Sequence, residues 1–384
     1  MKVNNKMNIL TFSGYYLPGY KGGGPIKTIK NLMDQLGDEL SFKLITSDRD
    51  LGDAIPYDSV DYNDWNDVGK AKVFYTQASS TGQRQIASII KKKNYDIIYL
   101  NSFFSLKFSF IPLLLAKALG QKVILGPRGE FSEGALNLKA QKKRLFIKLY
   151  KSLRLHHGTI FQASSDYEAK DIRKVLGYDV DIFIAEDIGS QDFAELLSVR
   201  SNGILNLVFI SRISQKKNLL FALKTLQSVE KYISYDIYGP IEDDKYWAEC
   251  EAVIESLPES IQVAYKGELY PDQVVRTLSK YDAFFMPTKG ENYGHVIAEA
   301  LCAGLPILIA DTTPWRNLQE LGIGWDLPLD NPKVFVNAID QLATMSADEH
   351  HQMRKNVLAW AKDKFSQRDA IEANIAMFEY VANK

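Results

Sequence analysis

The sequence predicts an α/β protein of two consecutive domains, each a parallel sheet covered by helices on both faces. Three observations carry this. Short β-rich runs alternate with stretches of helical spacing along almost the whole chain, as in a parallel sheet with crossover helices. The alternation breaks in a polar stretch from Asp187 to Asn206 and then starts again. The length, 384 residues, suits two domains at roughly 100–200 residues each.

Composition narrows the class. Hydrophobic residues make up 46% and charged residues 24%, as in ordinary globular chains. The 46 basic and 47 acidic residues leave a net charge of −1, which argues against a dedicated nucleic-acid binder. Cys250 and Cys302 are the only cysteines, too few for a disulfide framework or a cysteine zinc site. The five histidines include two adjacent pairs, His156/His157 and His350/His351. Neighbours in sequence are expected to point apart, and no His-x-x-x-His spacing is present, so no metal is expected. The N-terminus lacks the apolar core of a signal peptide, and the first six residues read as a polar tail with Met7 as an alternative start. Phe108–Leu119, the most apolar run, is broken by Lys117 and falls short of the roughly 20 residues that span a bilayer. The expected compartment is the cytoplasm.

In order, Asn8–Phe12 is apolar, Gly14–Pro25 is glycine-rich and Ile26–Leu36 has helical spacing. Phe42–Thr46, Lys72–Tyr75, Asp96–Leu100, Lys122–Leu125 and Thr159–Ala163 complete the first set of strands. The hinge is expected near 187–204, with a helical fragment. Leu207–Ile210 then opens the second set, followed by a helix from Asn218 and strands at Asp236–Tyr238, Gln262–Tyr265, Ala283–Met286 and Ile307–Ala310. From about Phe365 the tail reads as a helix, with Ile371, Ile375, Phe378 and Val381 on one face.

In open α/β sheets ligands bind beyond the carboxyl ends of the strands, and two such sheets facing each other would leave a cleft between them. The segment Phe284–Gly304 fits this best. A strand ends near Pro287, Glu291 follows in a loop, Gly294 permits a tight turn, and a helix runs from about His295 to Ala303, with Gly304 as its stop. Backbone N–H groups of Asn292, Tyr293, Gly294, His295 and Val296 at that helix start are suited to a diphosphate. Glu291 and Glu299 are carboxylates able to accept two hydrogen bonds from a sugar or ribose diol. Taken alone, the same pair is a helix cap and a solvated glutamate. Arg212, directly after a strand, and Lys217, at a helix start, pair a planar fork with a point charge, a combination suited to a diphosphate; alone, they are two surface cations.

Together, Glu291 and Glu299 separated by seven residues, Arg212 with Lys217, and Gly22-Gly23-Gly24 after the first strand resemble glycosyltransferase family 4. The resemblance covers nearly the whole chain and is stronger in the second half. Asp311-Thr-Thr-Pro-Trp315 and Ile237-Tyr-Gly-Pro-Ile-Glu-Asp243 look like its bacterial surface-polysaccharide branch. The resemblance implies the GT-B fold: two facing Rossmann-like domains with parallel sheets and an interdomain cleft. It implies an N-terminal acceptor-side domain of residues 1–187, rejoined by a helix at about 366–384, and a donor-binding domain of residues 188–365. It also implies retaining, metal-independent transfer without a cofactor, from a UDP- or GDP-linked sugar to a glycan or lipid-linked acceptor of O-antigen, capsule or exopolysaccharide synthesis. By matching positions, Glu299 would bind the ribose and Glu291 the donor sugar. Arg212 and Lys217 would neutralise the leaving diphosphate, Gly267 would line the base site, and Gly23 and Gly24 would bring amides near the phosphate. Where many members carry a histidine, this chain has Gly126-Pro-Arg-Gly-Glu130. Arg128, Glu130 and Asn101 are therefore candidate acceptor-side residues, or structural turn residues.

Rival readings are a sugar-nucleotide epimerase of the same fold, a non-catalytic scaffold, and an NAD-dependent dehydrogenase. The last is disfavoured because Ser13–Pro25 is too long for Gly-x-Gly-x-x-Gly. Two stretches remain. Lys139–Arg154 holds seven basic and no acidic residues with Leu145, Phe146, Leu149, Tyr150 and Leu153 interleaved. It is either a helix packed on its sheet or a helix for an anionic membrane surface. Asp48–Asp67 holds seven aspartates with Tyr57, Tyr62 and Trp65 among them, and reads as a solvated excursion or an acceptor-binding loop.

Overall fold

The computed structural model describes residues 6–384 except 78, 138, 197–202 and 367. Most of the polar tail and part of the expected hinge, with any helical fragment at 197–202, lie outside the described residues. Residues 187–196 run without regular structure. The chain divides into two compact units, Met1–Ile188 with Arg368–Lys384, and Gly189–Gln367.

The first unit contains, in chain order, β1 (Asn8–Phe12), α1 (Gly24–Leu36), β2 (Ser41–Ser47), β3 (Trp65–Val68), β4 (Ala71–Thr76), α2 (Ser80–Lys91) and β5 (Ile97–Leu100). It continues with α3 (Ile111–Ala118), β6 (Val123–Leu125), α4 (Glu133–Asn137), α5 (Ala140–Ser152), β7 (Thr159–Ala163), α6 (Asp166–Leu176) and β8 (Asp181–Ile184). The sheet order is β3-β4-β2-β1-β5-β6-β7-β8, parallel except where β3 runs against β4. β5, β6 and β7 are buried at every residue, which is why they read as unbroken apolar runs: both faces of the sheet are covered. Gly23, whose φ of +67° favours glycine, precedes the first residue of α1, and Pro25 lies in its first turn. It buries Ile26, Ile29, Leu32, Met33 and Leu36, each contributing about 1.5–3 kcal/mol of burial.

The aspartate-rich stretch departs from expectation only at its two ends. Between β2 and β3 it is the expected solvated excursion, with residues 51–55 and 61–64 exposed, but it ends in strand β3, where the Trp65 ring packs 5.4 Å from Phe74 on the paired strand, under the Lys43 ammonium at 5.5 Å. Asp48 and Asp50 are 0% and 4% exposed. Asp50 accepts from the Tyr20 and Lys21 amides at 2.7 and 3.0 Å, so it ties down the glycine loop after β1. Trp65 is thus a packing residue of the sheet edge, whereas Tyr62 stays 38% exposed.

The second unit contains β9 (Leu205–Ile210), α7 (Leu219–Leu226), β10 (Ile233–Tyr238), α8 (Asp244–Ile254), β11 (Ile261–Tyr265), α9 (Val274–Leu278) and β12 (Ala283–Met286). It ends with α10 (His295–Cys302), β13 (Ile307–Ala310), β14 (Gly324–Leu327), α11 (Pro332–Thr344) and α12 (Ala347–Ser366). Its all-parallel order is β11-β10-β9-β12-β13-β14. The chain winds to one side of β9, then returns and winds to the other, the doubly wound order with its switch point between β9 and β12. The core lies on both faces of this sheet: Phe209, Phe284, Phe285, Ile297, Leu301 and Phe335 are fully buried.

The tail breaks after α12, and α13 (Asp369–Asn383) belongs to the first unit. There Phe378 packs edge-on against Phe42 and Tyr99 at 6.0 and 5.5 Å. Among the described residues, no helix is long and apolar enough to cross a membrane.

Candidate functional site

In the second unit the loops leaving β9 and β12 meet at the switch point and are laced together. The Lys216 carbonyl accepts from the Lys289 amide at 2.9 Å and the Thr288 hydroxyl at 3.2 Å. The Asn218 side-chain amide donates to the Pro287 carbonyl at 2.9 Å. Asn218 closes the β9 loop at φ +61° just before α7, a conformation asparagine tolerates better than most residues.

This lacing places the Lys217 ammonium 2.6 Å from Glu291 Oε1, with side chains 13% and 10% exposed. The Thr288 hydroxyl is 3.1 Å from the same oxygen. Burial alone would push the Glu291 carboxyl up. The Lys217 charge and hydrogen bond, with Lys216 and Thr288, outweigh it and hold the carboxyl below its ordinary range. Lys216 also belongs to this cluster. Burial lowers its ammonium; Glu291 raises it, and Lys217 and Arg212 lower it further. Arg212 stands apart from the buried pair, exposed and bonded to Glu242 at 2.8 Å. Such an exposed pair is worth about 0–1 kcal/mol, so its guanidinium is readily drawn to another anion.

The neighbouring strand ends join the same edge. Gly239, after β10, has φ +130°, and a Cβ there would lie 2.0 Å from the Ser211 carbonyl oxygen. Only glycine lets the two loops approach so closely. Its amide donates to the Gly267 carbonyl at 2.8 Å. Gly267, at φ +79°, would point a Cβ into open space.

α10 starts after Gly294 at φ +84°. The amides of Asn292, Gly294 and Val296 donate to no acceptor among the described residues, so they remain available to an anion. Tyr293 and His295 are packed, 5% and 8% exposed. Their rings lie 4.8 Å apart, and the Trp315 indole donates to the Tyr293 carbonyl at 2.5 Å. Glu299 is 5% exposed on the same helix. Burial, with Glu299 next, pushes the Cys302 thiol up to about 12.

In the first unit, Gly23 leaves open space where a Cβ would stand, and Gly24 is the first residue of α1. The three acceptor-side candidates are bonded within their own unit. Arg128, at φ +55°, turns its guanidinium inward to bond Asp187 at 2.7 Å, Asn101 at 2.7 and 3.1 Å, Gln162 at 3.0 Å and the Tyr99 hydroxyl. The Arg128 and Asp187 side chains are 5% and 2% exposed. Glu130 caps residues 102–104, accepting from the Ser102 hydroxyl at 2.8 Å, the Phe104 amide at 3.2 Å and the Phe103 amide. These residues fasten the strand ends of their own unit. The bonds of Arg128 and Glu130 to residues of their own unit give them the structural role of turn residues.

The histidines give a second correction. His156 and His157 do not diverge: their rings lie 4.3 Å apart, because they follow one another in a tight turn after Arg154 at φ +52°. With Asp179 they bring three ligand-type atoms within 4.8 Å of one another. Burial lowers the His156 imidazole, as do His157, Lys151 and Lys117, against Asp179; the two lysines oppose a further cation there.

Residues whose part in this site went unread in the sequence are Lys216, Thr288 and Gly239, while Asn218 was read only as a helix start. Lys216 adjoins Lys217, and Thr288 lies two residues past the end of β12, so position after a strand was their available signal.

Residues 201–360, within the second unit, match the model of the family described as glycosyl transferases group 1. Sucrose-phosphate synthase from Thermosynechococcus elongatus superposes with a TM-score of 0.74 at 14% identity, covering 99% of this chain and 100% of that one. WaaG, a glycosyltransferase involved in lipopolysaccharide biosynthesis, gives 0.67 at 12% identity over 96% and 99%. Anabaena HepE, in a complex with UDP and glucose, gives 0.69 at 16% identity over 98% and 100%. No protein of curated function matches in sequence. The likenesses to solved structures show the fold: two α/β units with parallel sheets, the GT-B architecture.

Proposed function

We propose that this chain, with its GT-B fold and a group 1 glycosyltransferase match over residues 201–360, transfers a sugar from a nucleoside diphosphate to an acceptor hydroxyl. The observation that carries the reading is the buried Lys217–Glu291 pair at the switch point of the second sheet, beside the amides that precede α10. A diphosphate there meets Lys217, Lys216 and the helix N-terminus, and Arg212 can leave Glu242 to join them. Glu291, kept ionised by the lysines, accepts from hydroxyls of the donor sugar, and Glu299 from the ribose. Gly267 lets the chain pass close to the base.

The chemical difficulty is charge. As the bond from the anomeric carbon to the diphosphate oxygen breaks, the carbon becomes oxocarbenium-like and the diphosphate gains negative charge. Cations and amides fixed before reaction stabilise that charge without reorganising, which is usually the main source of rate enhancement in such reactions. In this reading the acceptor hydroxyl attacks the same face and passes its proton to the departing phosphate oxygen, so configuration is retained. The lysines, Arg212 and the helix N-terminus take the place of a metal, and no cofactor is used. The donor is a UDP- or GDP-sugar, as the UDP complex of a HepE structure suggests. The acceptor is a glycan or lipid-linked hydroxyl of surface-polysaccharide synthesis at the cytoplasmic side of the membrane.

The test is nucleoside diphosphate release from a panel of UDP-, GDP-, ADP- and TDP-sugars with a cell-envelope glycolipid fraction as acceptor. Acceptor-dependent release that falls at least tenfold in Lys217→Ala supports the proposal. Conversion of a sugar nucleotide without acceptor would replace it with epimerisation. Full activity in Glu291→Ala would refute the assigned site.

A further inference from the structure

α5 carries two apolar faces, and the fold uses one. Phe146 packs on Phe103, Phe104 and Phe110 at 5.2–5.6 Å, and Tyr150 lies 4.6 Å from Phe103, 1% exposed. Leu145, Leu149 and Leu153 are left 71%, 47% and 50% exposed. Their spacing of four puts them in one stripe along the helix and the turn that follows it. At about 100° per residue, Lys142 falls in line with that stripe, while Lys148, Arg144 and Lys151 follow round the adjoining flank. All four cations are exposed.

A single exposed leucine on a soluble protein is ordinary. Three in line, beside exposed cations and on a stretch without one acidic residue, form an oriented surface. The stretch 139–154 carries +7 in a chain of net charge −1, so the remainder carries −8. An anionic sheet is therefore attracted to this face and repelled by the molecule as a whole. We infer that Leu145, Leu149 and Leu153, with Lys142, Arg144, Lys148 and Lys151, form a docking surface for an anionic phospholipid bilayer. The leucines enter the headgroup–acyl boundary while the long basic side chains reach back to lipid phosphates. Charge complementarity selects this occupant. A second copy of the chain would set one basic helix against another. A nucleic acid would engage the cations but leave the leucines in water. This surface belongs to α5 alone and does not depend on the sugar-transfer reading.

The experiment is flotation of the full chain with vesicles of phosphatidylcholine, and with vesicles in which about one-third is phosphatidylglycerol. The wild type is compared with Lys142→Ala/Lys148→Ala and with Leu145→Ser/Leu149→Ser/Leu153→Ser. All substituted side chains are solvent-facing, and an unchanged thermal melt verifies folding. The wild type should float with the anionic vesicles and not with phosphatidylcholine, and release at high salt. Each lysine removed should weaken binding roughly fivefold, and the leucine variant should lose at least as much as the double lysine variant. Equal flotation with both vesicle types, or an unaffected leucine variant, would overturn the inference. So would a dimer in light scattering that disappears in the leucine variant, which would make a second copy the occupant.

Discussion

Replacing Arg128 with Met separates its two roles, a charge presented to an acceptor and a strut inside the first unit. The guanidinium is bonded to Asp187, Asn101, Gln162 and Tyr99, and Asp187 is 2% exposed at its side chain. Met fills most of the volume but removes every bond that Arg128 makes, while the Thr28 hydroxyl still donates to Asp187 at 2.9 Å. Breaking a buried pair by deleting one partner costs about 3–5 kcal/mol, because the other charge stays buried without its counter-charge. For a unit of about 200 residues, each kcal/mol lowers the melting temperature by roughly 2–4 °C. The melt of the first unit should therefore fall by roughly 6–20 °C. The assay is differential scanning calorimetry, with the transition of the second unit as internal reference. Arg128→Met with Asp187→Leu should recover most of the loss, since an apolar replacement of both partners of a buried pair is often neutral. A single variant that melts within a degree of wild type while acceptor turnover collapses would refute the strut and restore the acceptor role.

Other consequences are as direct. Glu291 is more acidic folded than unfolded, so its ionised form stabilises the second unit above the ordinary carboxylate value of 4.5. As pH falls, the unfolded chain takes up the proton first, and this stabilisation is lost as pH falls through the folded value. Acid denaturation of wild type and Glu291→Gln, followed by fluorescence, should show the wild type losing more stability below that value; parallel curves would contradict it. Gly239→Ala should destabilise the second unit by about 1–3 kcal/mol or more, from φ strain and the clash with Ser211. Gly267→Ala, with open space for its Cβ, should cost about 1–2 kcal/mol yet reduce nucleotide affinity; urea melts and calorimetry separate the two. Lys216→Met should also weaken diphosphate binding, because Lys216 faces the same carboxylate as Lys217.

What was legible in the sequence is what local pattern encodes. Asn8–Phe12, Thr159–Ala163, Ala283–Met286 and Ile307–Ala310 stand as strands at the expected residues, because fully buried strands read as apolar runs closed by turn residues. Asn218 was legible as a helix start and Gly294 as a turn for the same local reason. The strands β3, β8 and β14 were missed: β3 is embedded among aspartates, and β8 and β14 are short strands at sheet edges. The fate of Arg128 was not legible either. Its partners lie 27 to 59 residues away, and sheet order, which no local pattern carries, brings them together. The same limit explains α5. Periodicity showed that Leu145 and Phe146 both belong to a helix, but only packing decided that one turns inward and the other to solvent.

The most direct test of the account is calorimetric titration of the protein with UDP, GDP, ADP, TDP and NAD, with and without EDTA, repeated on Lys217→Ala and Glu299→Ala. The account predicts that one nucleoside diphosphate binds, that EDTA leaves the affinity unchanged, and that both variants weaken it by roughly tenfold or more, the loss of a hydrogen bond to a charged group. At 100 times its Kd, the same ligand should stabilise the wild type by about 2.7 kcal/mol. Binding of NAD alone, of no nucleotide, or of a nucleotide indifferent to both substitutions would contradict the account.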